Sequence, residues 1–341
     1  KKIPYLRFSK KFLTRSQMLH IETALEIIAK ELEKLEIPEK PEKLYEPVRY
    51  TLSNGGKRLR PALVLLACDL FGADFRKALY PAIGIEVFHN FTLLHDDLMD
   101  DSVVRRNMPT VHVKWDANTA ILSGDAMSIL ANSLIIKAET ENTIAISRLF
   151  NKTALEVCEG QMLDMEYAGK TDVTIPQYLN MIGLKTSVLI AASLAIGALV
   201  AGATEKQSET LYHFGMNLGL AFQLQDDLLD SFGDQVTFGK KIGNDIINNK
   251  RTFLVIKALE KARDKDFEDL NYYFSGKEFD PEAKIKAVLV IFNKLNIRKD
   301  TEEQIRIHHQ KALNYLAELN VPQENKKVLI QFSDELMKRE K

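Results

Sequence analysis

Apolar residues along this chain keep a helical period almost from end to end. Over residues 15–36 they recur at three- and four-residue spacing, and the same spacing returns over 281–295, 301–319 and 322–339, which predicts amphipathic helices. Between these outer segments the pattern predicts a short helix over 44–52, stopped at Asn54-Gly55-Gly56. Arg60-Pro61 opens the next, which runs through ALVLLACDLFG. A helix starting near Pro81 leads into a row of aspartates. Further helices are expected over 118–138, 144–168, 175–181, 186–204, 205–230 and through TFLVIKALEKA, with a short loop at 234–245. Sustained two-residue alternation and hairpin turns between strand-like runs do not occur. With no repeat beyond the paired motifs described below and no linker long enough to divide it, the chain is expected to form one all-α domain over residues 1–341, a single large helical bundle.

Composition sharpens this picture in three places. Gly and Pro, at 16 and 10 of 341 residues, fall well under the roughly 12% usual for proteins, which favours long uninterrupted helices. Basic and acidic residues nearly balance, 46 against 47, so bulk charge makes no case for nucleic acid or an anionic membrane surface. The two cysteines, Cys68 and Cys158, lie in apolar helical contexts without metal-ligand spacing and are too few for a disulfide framework. A reducing cytoplasm fits. The first residues, KKIPYLRFSKKFL, are basic but lack the apolar core of a signal peptide. The uncharged stretch Thr186–Thr204 is long enough to span a bilayer. Its richness in Ala, Gly and Ser, its uniqueness, and Lys185 just ahead of it read instead as a fully buried central helix. No transmembrane segment is expected.

The chemistry is concentrated in Leu93–His112, reading LLHDDLMDDSVVRRNMPTVH. On a helix, Asp96 and Asp100 fall one turn apart on one ridge, and Asp97 and Asp101 on the next. Like charges at that spacing repel, and a multivalent cation is the simplest compensation. Carboxylate oxygens suit Mg²⁺, which keeps positions open for water and substrate phosphates. A solvated acidic helix end reads the same way, but the arrangement occurs twice. Phe222–Asp234, FQLQDDLLDSFGD, repeats the DDxxD spacing with Asp226, Asp227 and Asp230, again at the end of an apolar helical run. Two such helices facing one another would hold metal ions between two carboxylate rows.

Basic residues accompany the acids. Lys57, Arg58 and Arg60 cluster in GGKRLRP, where a helix begins; exposed N–H groups and the helix dipole favour an anion there. Guanidinium forks match phosphate oxygens, whereas Lys acts as a point charge. Arg105-Arg106 form a second cluster, and Lys240, Lys241 and Lys250 a third. His89, seven residues before Asp96, lies within about 20° of that ridge on an ideal helix, and the helix over 144–168 carries Gln161 and Asp164. Two acidic rows and three basic clusters around an apolar interior describe a site for two phosphorylated, apolar substrates. One would be bound through metal and the other through Lys and Arg. No Ser-His-Asp or Cys-His arrangement stands beside these motifs, so covalent catalysis is not indicated.

GGKRLRP, HDDLMD followed by RRNMPTVH, Lys185-Thr186, FQLQDDLLD and FGKKIGND together resemble the trans-isoprenyl diphosphate synthases, in that family's order from about residue 50 to 255. The resemblance implies a type I isoprenoid synthase bundle around a deep central cavity, a homodimer, and a cluster of three Mg²⁺ ions for which Mn²⁺ can substitute. Carried over by position, Asp96, Asp100 and Asp226 are principal metal ligands, with Asp97, Asp227 and Asp230 in support. Gly56, Lys57, Arg60, His89 and Arg106 match the isopentenyl diphosphate site. Arg105, Lys185, Thr186, Gln223, Lys240 and Lys250 match the site for an allylic diphosphate (dimethylallyl, geranyl or farnesyl). Cation-assisted ionisation of the allylic C–O bond, attack by isopentenyl diphosphate and proton loss would follow. Thr186 and Gln223 are suited to stabilise the carbocation through oxygen dipoles. Asn107 departs from the family, which often has Gly after the two arginines.

The product tail must grow into the cavity below the metals. Phe91 and Phe88 lie five and eight residues before Asp96, roughly 7 and 12 Å along an ideal helix, and Thr92 between them is small. An aromatic at five before with a small residue at four before, in an uninserted DDxxD, resembles some geranylgeranyl diphosphate synthases. A C20 product is therefore expected, with C15 or a longer polyprenyl chain as alternatives. Two rival functions are a class I terpene cyclase, which has no use for GGKRLRP, and an inactive modulatory subunit, which would carry a damaged aspartate motif.

Overall fold

The computed structural model describes residues 19–168, 170–233, 243–275, 277 and 279–338. In chain order the first helices are α1 (Ile21–Glu33), α2 (Glu42–Ser53), α3 (Leu59–Leu70), α4 (Leu79–Met99), α5 (Val111–Lys114) and α6 (Ala117–Ile135). Next come α7 (Thr143–Tyr167), α8 (Ile175–Ile182), α9 (Val188–Val200) and α10 (Glu205–Phe232). The chain closes with α11 (Asn244–Ile247), α12 (Phe253–Lys261), α13 (Asp264–Tyr273), α14 (Pro281–Lys294), α15 (Ile297–Glu318) and α16 (Gln323–Met337). The fold is all-α, as the periodicity predicts. One small exception stands between α4 and α5. Strands β1 (Val104–Arg105) and β2 (Met108–Pro109) pair antiparallel, Val104 opposite Pro109 and Arg105 opposite Met108. Strands this short leave no alternation to read, so the hairpin was not foreseeable from pattern.

Packing divides the chain into two compact units. One contains the chain up to Asn151 together with Ala192–Glu209 and Val321–Val328; the other contains Lys152–Ala191, Thr210–Asn320 and the chain from Leu329 onwards. In the first unit α3 is buried on nearly every side, each residue from Pro61 to Cys68 included. Gly197 of α9 lies flat on it: a Cβ there would sit 2.8 Å from the Ala67 Cβ. α4 packs along α6, where Gly84 brings the backbone of α4 close to the Ala131 carbonyl. α2 starts at Glu42, ahead of the expected Leu44, and runs on through a buried Pro47 at the cost of one intrahelical hydrogen bond.

In the second unit, Tyr178, Met181, Leu224, Leu228, Phe253 and Phe292 belong to one apolar core. α8 is opened by a capping box in which Thr174 and Gln177 satisfy each other's backbone N–H groups. α13 was not expected. Its sequence, DKDFEDLNYY, has too little apolar stripe to announce a helix, and Leu270 is its one buried residue. The helical run Ile175–Val200 is long and apolar enough to cross a membrane, but 78% of its most apolar window is buried inside the protein.

Candidate active site

In the first unit the aspartate row is built where α4 ends. Asp96 and Asp97 lie in the last turn, Asp100 is the C-cap, and Asp101 has φ 50. Asp101 N–H bonds to Leu98 O (3.4 Å) and Ser102 N–H to Asp97 O (2.8 Å), a Schellman ending with Asp where Gly is usual. The helix therefore stops before Asp101, which does not share a ridge with Asp97 as ideal geometry would have it. Asp97 is 4% exposed, Asp96 is half-buried and Asp100 is exposed. Arg105 donates through Nε to both oxygens of Asp97 at 2.7 Å and lies 3.6 Å from Asp96. Burial nonetheless pushes the Asp97 carboxyl above its usual range, against the pull of Arg105.

The hairpin delivers the two arginines. Arg106 and Asn107 have φ 52 and 63, both left-handed, as a two-residue type I′ turn requires. Asn visits that conformation more readily than most residues with a Cβ, so Asn107 fits the turn where the family often has Gly. Tyr50 fixes the hairpin to α2 by donating to Pro109 O at 2.8 Å. Arg106 then reaches back to donate to Gly55 O. Gly56, at φ +128, must be Gly: a Cβ there would lie 2.7 Å from the Arg106 Cζ. Arg60 Nη1 sits 3.1 Å from His89 Nε2, and Lys57 is exposed. Burial first, then the neighbouring Arg60, Arg106, Arg105 and Arg58, hold the His89 imidazole well below its ordinary pKa, so it is neutral and can accept from Arg60. The isopentenyl set expected from sequence, Gly56, Lys57, Arg60, His89 and Arg106, thus falls in one unit around the α3 N-terminus.

The chain-length candidates lie on the same helix. Phe88 is 2% exposed and packs edge-on against Phe150, centroids 5.2 Å apart, and tilted against Phe91 at 5.4 Å. Phe91 is half-buried and meets the His95 ring at 4.8 Å. Thr92 turns its hydroxyl to His89 O (2.8 Å).

In the second unit Asp226, Asp227 and Asp230 lie within α10. Asp226 is half-buried. Asp227 is buried and accepts from the Tyr178 hydroxyl and from Gln223 Nε2 (3.0 Å). Burial and the nearby Asp245 push the Asp227 carboxyl up to about 8, with the two hydrogen bonds pulling the other way. Asp230 accepts the Asp245 N–H at 2.9 Å, and Lys250 Nζ stands 4.0 Å from Asp245. Lys185 donates to Asp164 at 2.6 Å and Thr186 to Gln223 Oε1 at 3.1 Å. Lys185 and Thr186 sit on a π-helical turn, Gly183–Ser187, between α8 and α9; such turns cluster at functional sites. Gly160 of α7 permits close approach to this turn, since a Cβ there would meet the Lys185 Cα at 2.6 Å. Lys240 lies outside the described residues.

Among the described residues no three acidic, imidazole or thiol groups converge on a point. The donors nevertheless fit Mg²⁺. They are hard carboxylate oxygens, and Mg²⁺ is usually held by one or two carboxylates plus substrate phosphates rather than by an all-protein cage. Asp96 and Asp226 are half-buried and Asp100 is exposed; Asp97 bonds to Arg105, and Asp227 to Tyr178 and Gln223. Pattern reading assigned no role to Glu86, Asn90, Asp164, Tyr178 or Asp245. Glu86 did leave a signal, as a lone acid in the apolar run PAIGIEVF.

A family model described as polyprenyl synthetase matches residues 41–292. The chain belongs to the polyprenyl synthetase family. This polyprenyl synthetase is 44% identical over 225 residues to the geranylgeranyl diphosphate synthase of Methanosarcina mazei, a match covering 65% of this chain and 69% of that protein. It is 34% identical over 310 residues to the geranylfarnesyl diphosphate synthase of Aeropyrum pernix, covering 88% and 96%. A crystal structure of a geranylgeranyl pyrophosphate synthase matches with a TM-score of 0.90 and 44% identity, covering 94% of this chain and 99% of that one. Polyprenyl synthetases are in general Mg²⁺-dependent and take isopentenyl and allylic diphosphates. The trans-prenyltransferase class expected from the motifs is thereby upheld.

Proposed function

We propose that this polyprenyl synthetase condenses isopentenyl diphosphate with an allylic diphosphate, dimethylallyl, geranyl or farnesyl, and releases geranylgeranyl diphosphate (C20). The observation that carries the reading is that each DDxxD row stands among groups suited to a diphosphate. Arg105 lies against Asp96 and Asp97, and Gln223 joins Asp227 to Thr186, the neighbour of Lys185. Bound Mg²⁺, three ions by family resemblance, supplies positive charge to the departing diphosphate. Arg105, Lys185, Lys240 and Lys250 add charge to the same group, so the allylic C–O bond ionises. Thr186 and Gln223 oxygens stabilise the carbocation. Lys57, Arg60, His89 and Arg106 hold isopentenyl diphosphate while its double bond attacks, and the released proton passes to the leaving diphosphate.

A homodimer is proposed as well. α6 and its C-cap leave Ile121, Leu122, Ile129 and Ile136 exposed around an exposed Asp125, apolar positions that a second copy of the chain would cover. We take residues 1–341 as one functional domain, because α7, α9, α10 and α16 each run unbroken from one unit into the other. A soluble, cytoplasmic protein fits the burial of Ile175–Val200 and two unpaired cysteines.

Incubating the purified protein with isopentenyl diphosphate, an allylic primer and Mg²⁺ separates the alternatives. Elongation to C20 is expected. Cyclised hydrocarbon would identify a terpene cyclase, and no turnover a modulatory subunit. Asp96→Asn and Asp226→Asn should each lower turnover by about two to three orders of magnitude with helical content intact, since an essential charge contact contributes about 3–4 kcal/mol in the transition state. Near wild-type rates in both would remove the metal role of these rows.

A further inference from the structure

Glu86 is the acid that neither the aspartate rows nor the phosphate contacts account for. It lies on α4, 2% exposed, three residues before His89. An ionised carboxylate taken out of water is retained at a cost of several kcal/mol unless well partnered, and Glu86 is well partnered. Its Oε1 accepts from Arg58 Nη1 and, at 2.7 Å, from Asn90 Nδ2. Arg58 donates in addition to Leu52 O at 2.6 Å, which ties the carboxylate to the end of α2. Asn90 Nδ2 also bonds to the Glu86 carbonyl at 2.8 Å. With its amide nitrogen committed twice to Glu86, Asn90 must turn its oxygen outward. That oxygen lies 3.4 Å from Arg106 Nη1.

The geometry points to Glu86 as a positioning residue for isopentenyl diphosphate, acting through Asn90 on Arg106. It rests on the proposed function. Glu86 itself is too buried to touch substrate. Arg106, by contrast, is exposed and sits on the tip of a two-residue turn at φ 52, where Gly55 O and Asn90 Oδ1 both accept from its Nη1, and losing the Asn90 contact would free rotamers of the long side chain. Arg58, also left-handed at φ 48, precedes α3 directly, and its bond to Glu86 holds the carboxylate in place beside Asn90. Burial first, then Arg58, lowers the Arg106 pKa, and the nearby Glu86 pulls the other way.

Steady-state kinetics on both substrates tests this. Glu86→Gln, which keeps shape and removes charge, should raise the KM for isopentenyl diphosphate about tenfold, the loss of one charge-assisted contact. The KM for the allylic substrate should stay within about twofold and kcat within about threefold. In an Arg106→Ala background the same change should add less than about twofold, because its route to substrate is gone. Asn90→Ala leaves the Glu86–Arg58 pair intact and should reproduce the selective rise, so the test survives if Glu86→Gln does not fold. The inference is overturned by Asn90→Ala leaving that KM unchanged, by equal effects on both substrates, or by a full Glu86→Gln effect without Arg106. If the wild type does not elongate at all, the proposed function has failed on its own. Calorimetric titration of the same variants with inorganic pyrophosphate then still reports on Glu86: weaker binding only where Arg106 is present supports positioning, and unchanged binding refutes it.

Discussion

Lys57 and Lys185 occupy different units and differ in their surroundings, and the proposed reading gives them separate substrates. Lys57 stands exposed beside a glycine turn at a helix start, a place that favours an incoming anion. Lys185 is already held 2.6 Å from Asp164. Lys57→Ala or Arg60→Ala should raise the KM for isopentenyl diphosphate by about ten- to a hundredfold, the equivalent of a charged hydrogen bond, and barely move the allylic KM. Lys185→Ala should do the reverse, and equal effects of all three would mean the two sites are wrongly assigned. The two aromatics before the first aspartate row also separate. Phe88 is core: it packs between Phe91 and Phe150 with 2% exposure. Phe88→Ala should cost about 3–5 kcal/mol of unfolding free energy, measured by urea titration. Phe91, half-buried, is the better floor for the product tail. Product chain lengths from Phe91→Ala should exceed C20; an unchanged distribution would exclude it as the floor.

At the scale of elements, the π-turn that carries Lys185 and Thr186 lies close against Gly160 of α7. Gly160→Ala would put a Cβ 2.6 Å from the Lys185 Cα, a backbone atom that cannot swing aside. The expected result is a raised allylic KM with the isopentenyl KM unchanged; a silent Gly160→Ala would show that the turn can shift without loss. That π-turn was invisible in the sequence, where Lys185-Thr186 entered only as a motif at the edge of an uncharged run. Both aspartate rows and the helices carrying them were legible, because a 3.6-residue period interrupted by DDxxD survives any detail of packing. The end of α4 was not. Asp101, Arg106 and Asn107 take left-handed conformations that Gly normally announces, and without Gly the stop at Met99 and the hairpin had no punctuation to give them away. Nor was the partner of an internal acid legible. Periodicity buries Glu86 with its neighbours, but Arg58 reaches it from another helix start, across a distance that local spacing does not encode.

For the whole molecule the buried titrating groups set opposing pH dependences, and their signs can be worked out together. Burial holds His308 down to about 4 from 6.5, and lowers His89 and His309 as well. In the unfolded chain these imidazoles take up protons below about pH 6.5, whereas the folded protein refuses them. Stability is therefore fully present above pH 6.5 and is lost as pH falls toward 4, with a slope of up to about 1.4 kcal/mol per pH unit for each proton involved. Asp227 has the opposite sign. Its carboxyl is raised to about 8, so the folded state keeps a proton that the unfolded state has released above pH 4, and the stability this represents is lost as pH rises through 8. Below 6.5 the three histidines oppose Asp227 and the Asp97 and Asp69 carboxyls, which burial also raises; above 6.5 the carboxyl raised to about 8, Asp227, sets the slope. Unfolding free energy measured in chelator should thus rise to a maximum near pH 6.5 and decline toward pH 8. Asp227→Asn keeps the Tyr178 contact through its amide oxygen and cannot ionise, so it should abolish the decline on the alkaline side while leaving the acid limb in place. A decline that persists in Asp227→Asn would place its origin in other groups, and a flat acid limb would mean that the buried histidines accept protons without unfolding the chain.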